Sequence, residues 1–184
     1  MKGISDKCLR ELILKTAAGD KGAFTELYQK TSKVFYSAAR MHFRNIFDVE
    51  DVLQDAYMKI FNAAGTYNSK EGISVSAWMF KILRNTMTDA KRERLKTKYA
   101  ELSEDIPAVS ENADARLEAY LLLRRLPQTD KDILYAKIWF RMPFKEIGEA
   151  LNLPAATVQY RFNRLKKELK RPPVPAKMAE NGKN

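Results

Sequence analysis

The segment that constrains this chain most is Met142–Arg171, MPFKEIGEALNLPAATVQYRFNRLKKELKR. Its apolar spacing predicts two helices around a tight turn. In the first, from Phe144 to Leu151, Ile147, Ala150 and Leu151 share one face. Asn152-Leu153-Pro154 interrupts it: Asn tolerates the left-handed conformation at a helix end, and Pro suits only the first turn of a new helix. In the second, Val158, Phe162, Leu165 and Leu169 recur at steps of four, three and four. Its other faces hold Gln159, Arg161, Asn163, Arg164, Lys166, Lys167 and Lys170, and 154–171 carries six Lys/Arg against one Glu. A solvated basic helix that binds nothing would also be striped and cationic. The turn set before it completes a helix-turn-helix pattern, whose second helix lies in a DNA major groove. Thr157, Gln159, Tyr160 and Arg161 would face base edges, which Arg and Gln read with two hydrogen bonds each. Arg164, Lys166, Lys167 and Lys170 would sit nearer phosphates.

Composition narrows the function class. The 184 residues suffice for one large or two small domains, and 45% hydrophobic content supports packed cores. A net charge of +10 favours a polyanionic partner, nucleic acid or an acidic membrane surface, although solubility alone would also tolerate it. The single cysteine, Cys8, forbids an internal disulfide and fits a reducing compartment. With one cysteine and one histidine, His42, the usual zinc ligand sets cannot be assembled. No Gly-rich phosphate loop and no Ser/His/Asp or Cys/His set is present, so neither catalytic residues, nor a metal, nor a cofactor is expected. No apolar run resembles a signal peptide or reaches membrane-spanning length, and a cytoplasmic protein without membrane insertion is the expectation.

Along the chain, residues 1–16 read as a short helix with Leu9, Leu12 and Ile13 on one side. Asp20 is placed to cap a long helix running to about Phe43. His42, near its end, lacks ligand partners and reads as a surface or interface residue. Asp48 opens the next helix, where Val49, Val52, Leu53, Ala56, Tyr57, Ile60 and Phe61 form a core stripe. Its other side is acidic: Asp48, Glu50, Asp51 and Asp55, with Gln54 among them. Capping and dipole complementarity explain the first three, at about 0.3–1 kcal/mol each. Asp55 lies two turns in, so a docking surface for another protein is an equal alternative.

Gly65–Gly72 is rich in turn residues and reads as a loop, in which Tyr67 could meet an unstacked base. A helix from Val75 to about Tyr99 follows. Its later part concentrates Lys81, Arg84, Lys91, Arg92, Arg94, Lys96 and Lys98 against Asp89 and Glu93, while Trp78 fits the core better than a stacking platform. Residues 101–118 carry six acids and one Arg with no clean period, the mark of a flexible linker. Beyond it come Leu117 and Tyr120–Leu123, a break at Leu126-Pro127, and a helix that Thr129 or Asp130 would cap. The Pro-rich end from Pro172 reads as disordered.

Taken together, these segments resemble a bacterial RNA polymerase sigma factor of the extracytoplasmic-function type, over residues 17–98 and 115–171. Asp48-Val-Glu-Asp-Val-Leu-Gln-Asp55 resembles the core-polymerase-binding motif. Ser76-Ala-Trp-Met-Phe-Lys-Ile-Leu-Arg-Asn85, with Asp89 and Arg92, is similar to the segment that handles the minus-ten region. Leu126-Pro127, Phe144-Lys-Glu-Ile-Gly148 and Thr157-Val158 resemble the domain that reads the minus-thirty-five element. Their joint order and spacing are specific where each alone is not.

The resemblance implies roles. Core polymerase binding falls on Glu50, Asp51, Leu53, Gln54 and Asp55. Minus-ten recognition and melting fall on Tyr67, Asn68, Ser69, Lys70, Trp78, Lys81, Arg84, Asn85, Asp89 and Arg92, with a flipped non-template base captured in the loop. Minus-thirty-five recognition falls on Lys145, Ala155, Thr157, Gln159, Tyr160, Arg161, Arg164 and Lys167. The acidic linker looks like the segment that passes near the polymerase active site. Relatives commonly have an anti-sigma partner. Three departures stand out: Met142-Pro143 where many members have Gly and Ser or Thr, Gly148 for a common Ala, and Pro154 for a common Ser.

The expectation is therefore an all-α chain of two small helical domains joined by a flexible acidic linker, the second containing the helix-turn-helix. Residues 1–98 would form the first domain, 99–114 the linker, 115–171 the second domain and 172–184 a disordered tail. The chain would be a non-enzymatic sigma factor, monomeric when free, with core RNA polymerase and promoter DNA as partners. The rival is a self-sufficient dimeric helix-turn-helix regulator. It explains the last domain but neither the acidic helix nor the second basic segment.

Overall fold

The computed structural model describes residues 5–68, 72–96, 123 and 125–169. These residues form helices joined by short turns and loops, with no strand among them. The acidic stretch expected as a linker, the residues leading into 123 and the C-terminal tail lie outside the described residues.

Four helices make the first unit: α1 (Asp6–Ala17), α2 (Lys21–His42), α3 (Ile46–Ala63) and α4 (Val75–Lys96). Local chemistry sets their starts. Ser5 Oγ accepts from Cys8 N–H at 3.3 Å. Asp20 Oδ1 accepts from Ala23 N–H at 3.0 Å, as its position suggests. The start of α3 differs from the expectation. Asn45 is the cap, its Oδ1 accepting from Phe47 N–H at 2.9 Å, and Asp48 lies inside the first turn. A single 3-10 turn, Ala64–Thr66, follows α3. The second unit has α5 (Gln128–Ile138), α6 (Phe144–Leu151) and α7 (Ala155–Leu169). Neither Thr129 nor Asp130 caps α5. Pro127 holds that position with no side-chain cap, and Asp130 is buried inside the helix.

The helix-turn-helix closes as its sequence implies. Asn152 takes the left-handed conformation (φ 55°, ψ 45°), and Leu153 N–H donates to Gly148 O at 2.9 Å. A Cβ on Gly148 would stand 2.5 Å from Leu153 O, so the turn presses on a helix backbone that has no side chain there. Val158 and Leu165 are buried, and Phe144 and Phe162 pack at 5.7 Å between ring centroids.

One apolar core runs through both units. It joins Leu12 and Ile13 of α1, Leu27 and Phe35 of α2, Val49 and Ile60 of α3, and Phe80 and Leu83 of α4. Ile133 and Ala136 of α5, Ile147 of α6 and Val158 of α7 continue it. Phe140, just past α5, carries the core across: its ring lies 5.7 Å from Phe35 and 5.5 Å from Phe80. Tyr135 Oη donates to Ser37 O at 2.8 Å beside it.

Candidate protein and nucleic-acid interfaces

The first surface is the acidic side of α3. Glu50 and Gln54, and Asp51 and Asp55, stack one helical turn apart, and all four are exposed. Asp48 does not join them. It is mostly buried and ion-paired with Arg94 of α4, and burial pushes its carboxyl up against the pull of that guanidinium. The capping-or-docking alternative thus divides by residue: Asp48 is spent on packing α3 to α4, while Glu50, Asp51 and Asp55 face outward. Leu53 is half-buried at one wall of a groove of about 560 Å³, with Tyr28, Lys33, Tyr36 and Trp139 among the other walls.

The second surface runs along α4. Trp78, Lys81, Asn85, Asp89 and Arg92 recur at steps of three, four, four and three, which keeps them on one stripe. Lys81, Asn85, Asp89 and Arg92 are exposed; Asp89 lies 3.8 Å from both Lys59 and Arg92. At the head of the stripe the half-buried Trp78 packs on Tyr67, ring centroids 5.5 Å apart. Tyr67 is not an open platform: its ring is buried, and its hydroxyl donates to Ile73 O at 3.0 Å, drawing the loop together. Asn68 is exposed. Ser69 and Lys70 lie outside the described residues.

Arg84 departs from the stripe. Its Nε donates to Asp132 Oδ2 of α5 at 3.0 Å. Around this pair lies a polar cluster that the sequence reading missed. His42 Nδ1 is 2.8 Å from Gln128 Oε1 and 3.1 Å from Lys91 Nζ. Lys91 also donates to Gln128 Oε1, and Gln128 Nε2 donates to Asp132 Oδ1 at 3.0 Å. His42 Nε2 lies 3.6 Å from Asp132, and both side chains are 1% exposed. Burial, then the Lys91 cation, pushes His42 down to about 3. Burial pushes Lys91 down to about 8 and Asp132 up, the latter against Arg84. The only sequence signal was His42, a histidine without an evident role.

The third surface is the outer side of α7. Gln159, Tyr160, Asn163 and Lys167 are exposed, Tyr160 at 69%. Ala155 and Lys145 are exposed near the turn, and Thr157 is half-buried. Arg161 and Arg164 are turned toward α5: Arg164 Nη2 donates to Asp130 Oδ2 at 2.8 Å, and Arg161 Nη1 lies 3.3 Å from Asp130 Oδ1. No helix among the described residues is long and apolar enough to cross a membrane.

Comparison with known proteins agrees with this layout. The family model for sigma-70 region 2 matches residues 27–97, and that for sigma-70 region 4 matches residues 116–169. The RNA polymerase sigma factor NccH of Alcaligenes xylosoxydans xylosoxydans is 28% identical over 90% of this chain and 95% of its own. The ECF RNA polymerase sigma factor SigM of Mycobacterium tuberculosis is 25% identical over 92% and 86%, and SigW of Bacillus subtilis 22% over 89% and 95%. In fold, the chain is similar to CnrH, solved in complex with the cytosolic domain of CnrY. The TM-score is 0.64 at 23% identity, covering 88% of this chain and 94% of that one.

Proposed function

This chain belongs to the RNA polymerase sigma factors of the extracytoplasmic-function type, and from that premise we propose how its three surfaces divide the work. The function itself is promoter recognition and transcription initiation. Glu50, Asp51, Leu53, Gln54 and Asp55 of α3 dock on core RNA polymerase. The α4 stripe from Trp78 to Arg92, with the loop at Tyr67 and Asn68, engages the minus-ten element and its opened strand. Opening costs a few kcal/mol of stacking and pairing, which contacts to an unstacked base offset. The outer side of α7, with Lys145 and Ala155, reads the minus-thirty-five element.

The observation that carries this division is the order of the three exposed faces. An acidic face on α3 cannot meet DNA without repulsion, and the cationic stripes on α4 and α7 can. Two modest DNA contacts on one chain, held by polymerase, combine through effective concentration. The chain supplies no catalytic group; nucleotide addition belongs to the polymerase, and both act in the cytoplasm. The free protein is a monomer. An anti-sigma partner is part of the proposal, with the groove at Leu53 and Trp139 as its docking place; CnrH, similar in fold, is solved in complex with the cytosolic domain of CnrY. A self-sufficient dimeric regulator is disfavoured, because it gives no reason for the region 2 match at 27–97.

Run-off transcription with purified core polymerase, on a library of promoter fragments, tests the proposal. Specific initiation should require this protein. Absence of both initiation and co-elution with core would overturn it.

A further inference from the structure

Helix α1 lies outside the part of the chain that the region 2 model matches, residues 27–97. It nonetheless reaches both ends of the loop before α4. Asp6 Oδ1 accepts from Ser76 N–H at 3.0 Å and from Ser76 Oγ at 3.1 Å. One turn later on the same face, Arg10 donates to the Tyr67 hydroxyl, which itself donates to Ile73 O at 3.0 Å. α1 also packs against the 3-10 turn Ala64–Thr66 and against α4.

The Asp6 contact is a helix cap supplied from a distance. The first turn of α4 has N–H groups without helical partners. Ser74 Oγ accepts one of them, from Ala77 at 3.1 Å. The N–H of Ser76 takes Asp6, 70 residues back in the chain. Asp6 also lies in the first turn of α1. One carboxylate therefore serves the positive ends of two helices, where negative charge is favoured. Ser76 and Tyr67 are buried, so breaking these bonds leaves polar groups short of partners.

We infer that Asp6 and Arg10 are positioning residues for strand opening: from α1 they hold Tyr67 and the first turn of α4 in the arrangement that receives an unstacked base. The inference rests on the reading of Tyr67 and the α4 stripe as the minus-ten surface. Both residues act through others. Arg10 fixes Tyr67, whose ring lies 5.5 Å from that of Trp78 at the head of the stripe. Asp6 fixes Ser76, two residues before Trp78. A surface held at both ends needs less ordering when a base arrives, and that saving appears as affinity.

The test uses holoenzyme assembled from core polymerase and the full chain, with a promoter that the wild-type chain uses. The probes are its single-stranded non-template minus-ten oligonucleotide and copies carrying one abasic nucleotide each. For the wild type, one abasic copy should bind about tenfold more weakly than the intact strand, marking the captured base. Asp6→Ala and Arg10→Ala should each bind the intact strand about tenfold more weakly and leave that abasic copy unchanged, so the gap closes. Asp6→Asn, which keeps an acceptor for Ser76, should restore part of the gap. General loosening of the fold would weaken both strands alike and preserve the gap. Arg10 is exposed, so Arg10→Ala keeps the test open if Asp6→Ala does not fold. No gap in the wild type, or one as wide in both alanine variants, would overturn the inference and leave the sigma reading intact. No initiation by the wild-type holoenzyme on any fragment would instead remove the sigma reading, and this inference with it.

Discussion

Arg164 of α7 donates to the buried carboxylate of Asp130 in α5 at 2.8 Å, and Arg161, one turn earlier, closes on the other oxygen at 3.3 Å. This clasp fixes the recognition helix against its support. It also changes what Arg161 does. From sequence it is a base reader; in the structure its charge is directed at Asp130, which is 1% exposed and needs a cation. Arg161→Ala combined with Arg164→Ala should leave Asp130 buried and unpaired, at a cost of about 3–5 kcal/mol. Thermal melting checks this. Gln159→Ala, on the exposed side, should leave the melting temperature unchanged and reduce discrimination at the minus-thirty-five element by about 1–3 kcal/mol, read by binding competition. A stable double variant with impaired promoter binding would return the arginines to base reading.

Gly148→Ala is a sharper test of the turn. By the family resemblance Ala would be ordinary at this place, so the exchange looks benign from sequence. Here the added methyl would meet Leu153 O at 2.5 Å, and that atom is backbone, which cannot rotate away. The expected cost is about 1–3 kcal/mol from overpacking. Urea unfolding of the variant measures it; a midpoint equal to that of the wild type would show that the turn relaxes freely.

These two cases mark how far the sequence was legible. Periodicity is a local property, so the stripes of α2, α3, α4 and α7 and the stop at Asn152 could be read directly. The exposed acidic face of α3 could be read too, although its split from Asp48 could not, because Arg94 lies 46 residues further on. The same holds for Asp130: a carboxylate three residues into a helix has the look of an N-terminal cap or dipole partner, and only the fold brings Arg161 and Arg164 to it. The seam between the units left one local trace, the lone His42. Its members, His42, Arg84, Lys91, Gln128 and Asp132, come from three helices and carry ordinary surface chemistry. Family resemblance gave Arg84 a minus-ten role and did not bring it together with His42, Gln128 or Asp132.

The seam predicts a pH response. His42 falls from its ordinary 6.5 to about 3, so the unfolded chain takes up a proton near pH 6.5 that the folded chain refuses. The stability tied to neutral His42 is complete above pH 6.5 and declines as the pH drops toward 3, by about 2 kcal/mol at pH 5. Lys91 and Lys131 oppose its protonation, whereas Asp132, at 3.6 Å, would welcome it. The raised carboxyl of Asp132 acts in the opposite sense at the acid end. A difference measurement separates them: between pH 7.5 and 5 the wild type should lose about 4–8 °C more in melting temperature than His42→Gln. Parallel curves would place the proton elsewhere.

Charge reversal on α3 separates docking from packing. Asp51→Lys and Asp55→Lys alter exposed side chains one turn apart, so folding should change by less than about 0.5 kcal/mol. If that face meets a cationic surface of core polymerase, each reversal puts like charges together and should weaken binding by about ten- to a hundredfold, most at low salt. Asp48→Ala is the contrast. It removes the mostly buried partner of the half-exposed Arg94 between α3 and α4, so the melting temperature should fall while the docking face keeps its charge. Polymerase affinity by fluorescence anisotropy, set beside melting curves for all three variants, gives the comparison. Normal polymerase binding by Asp51→Lys and Asp55→Lys would move the docking site off this face and leave the groove at Leu53 as the next place to look.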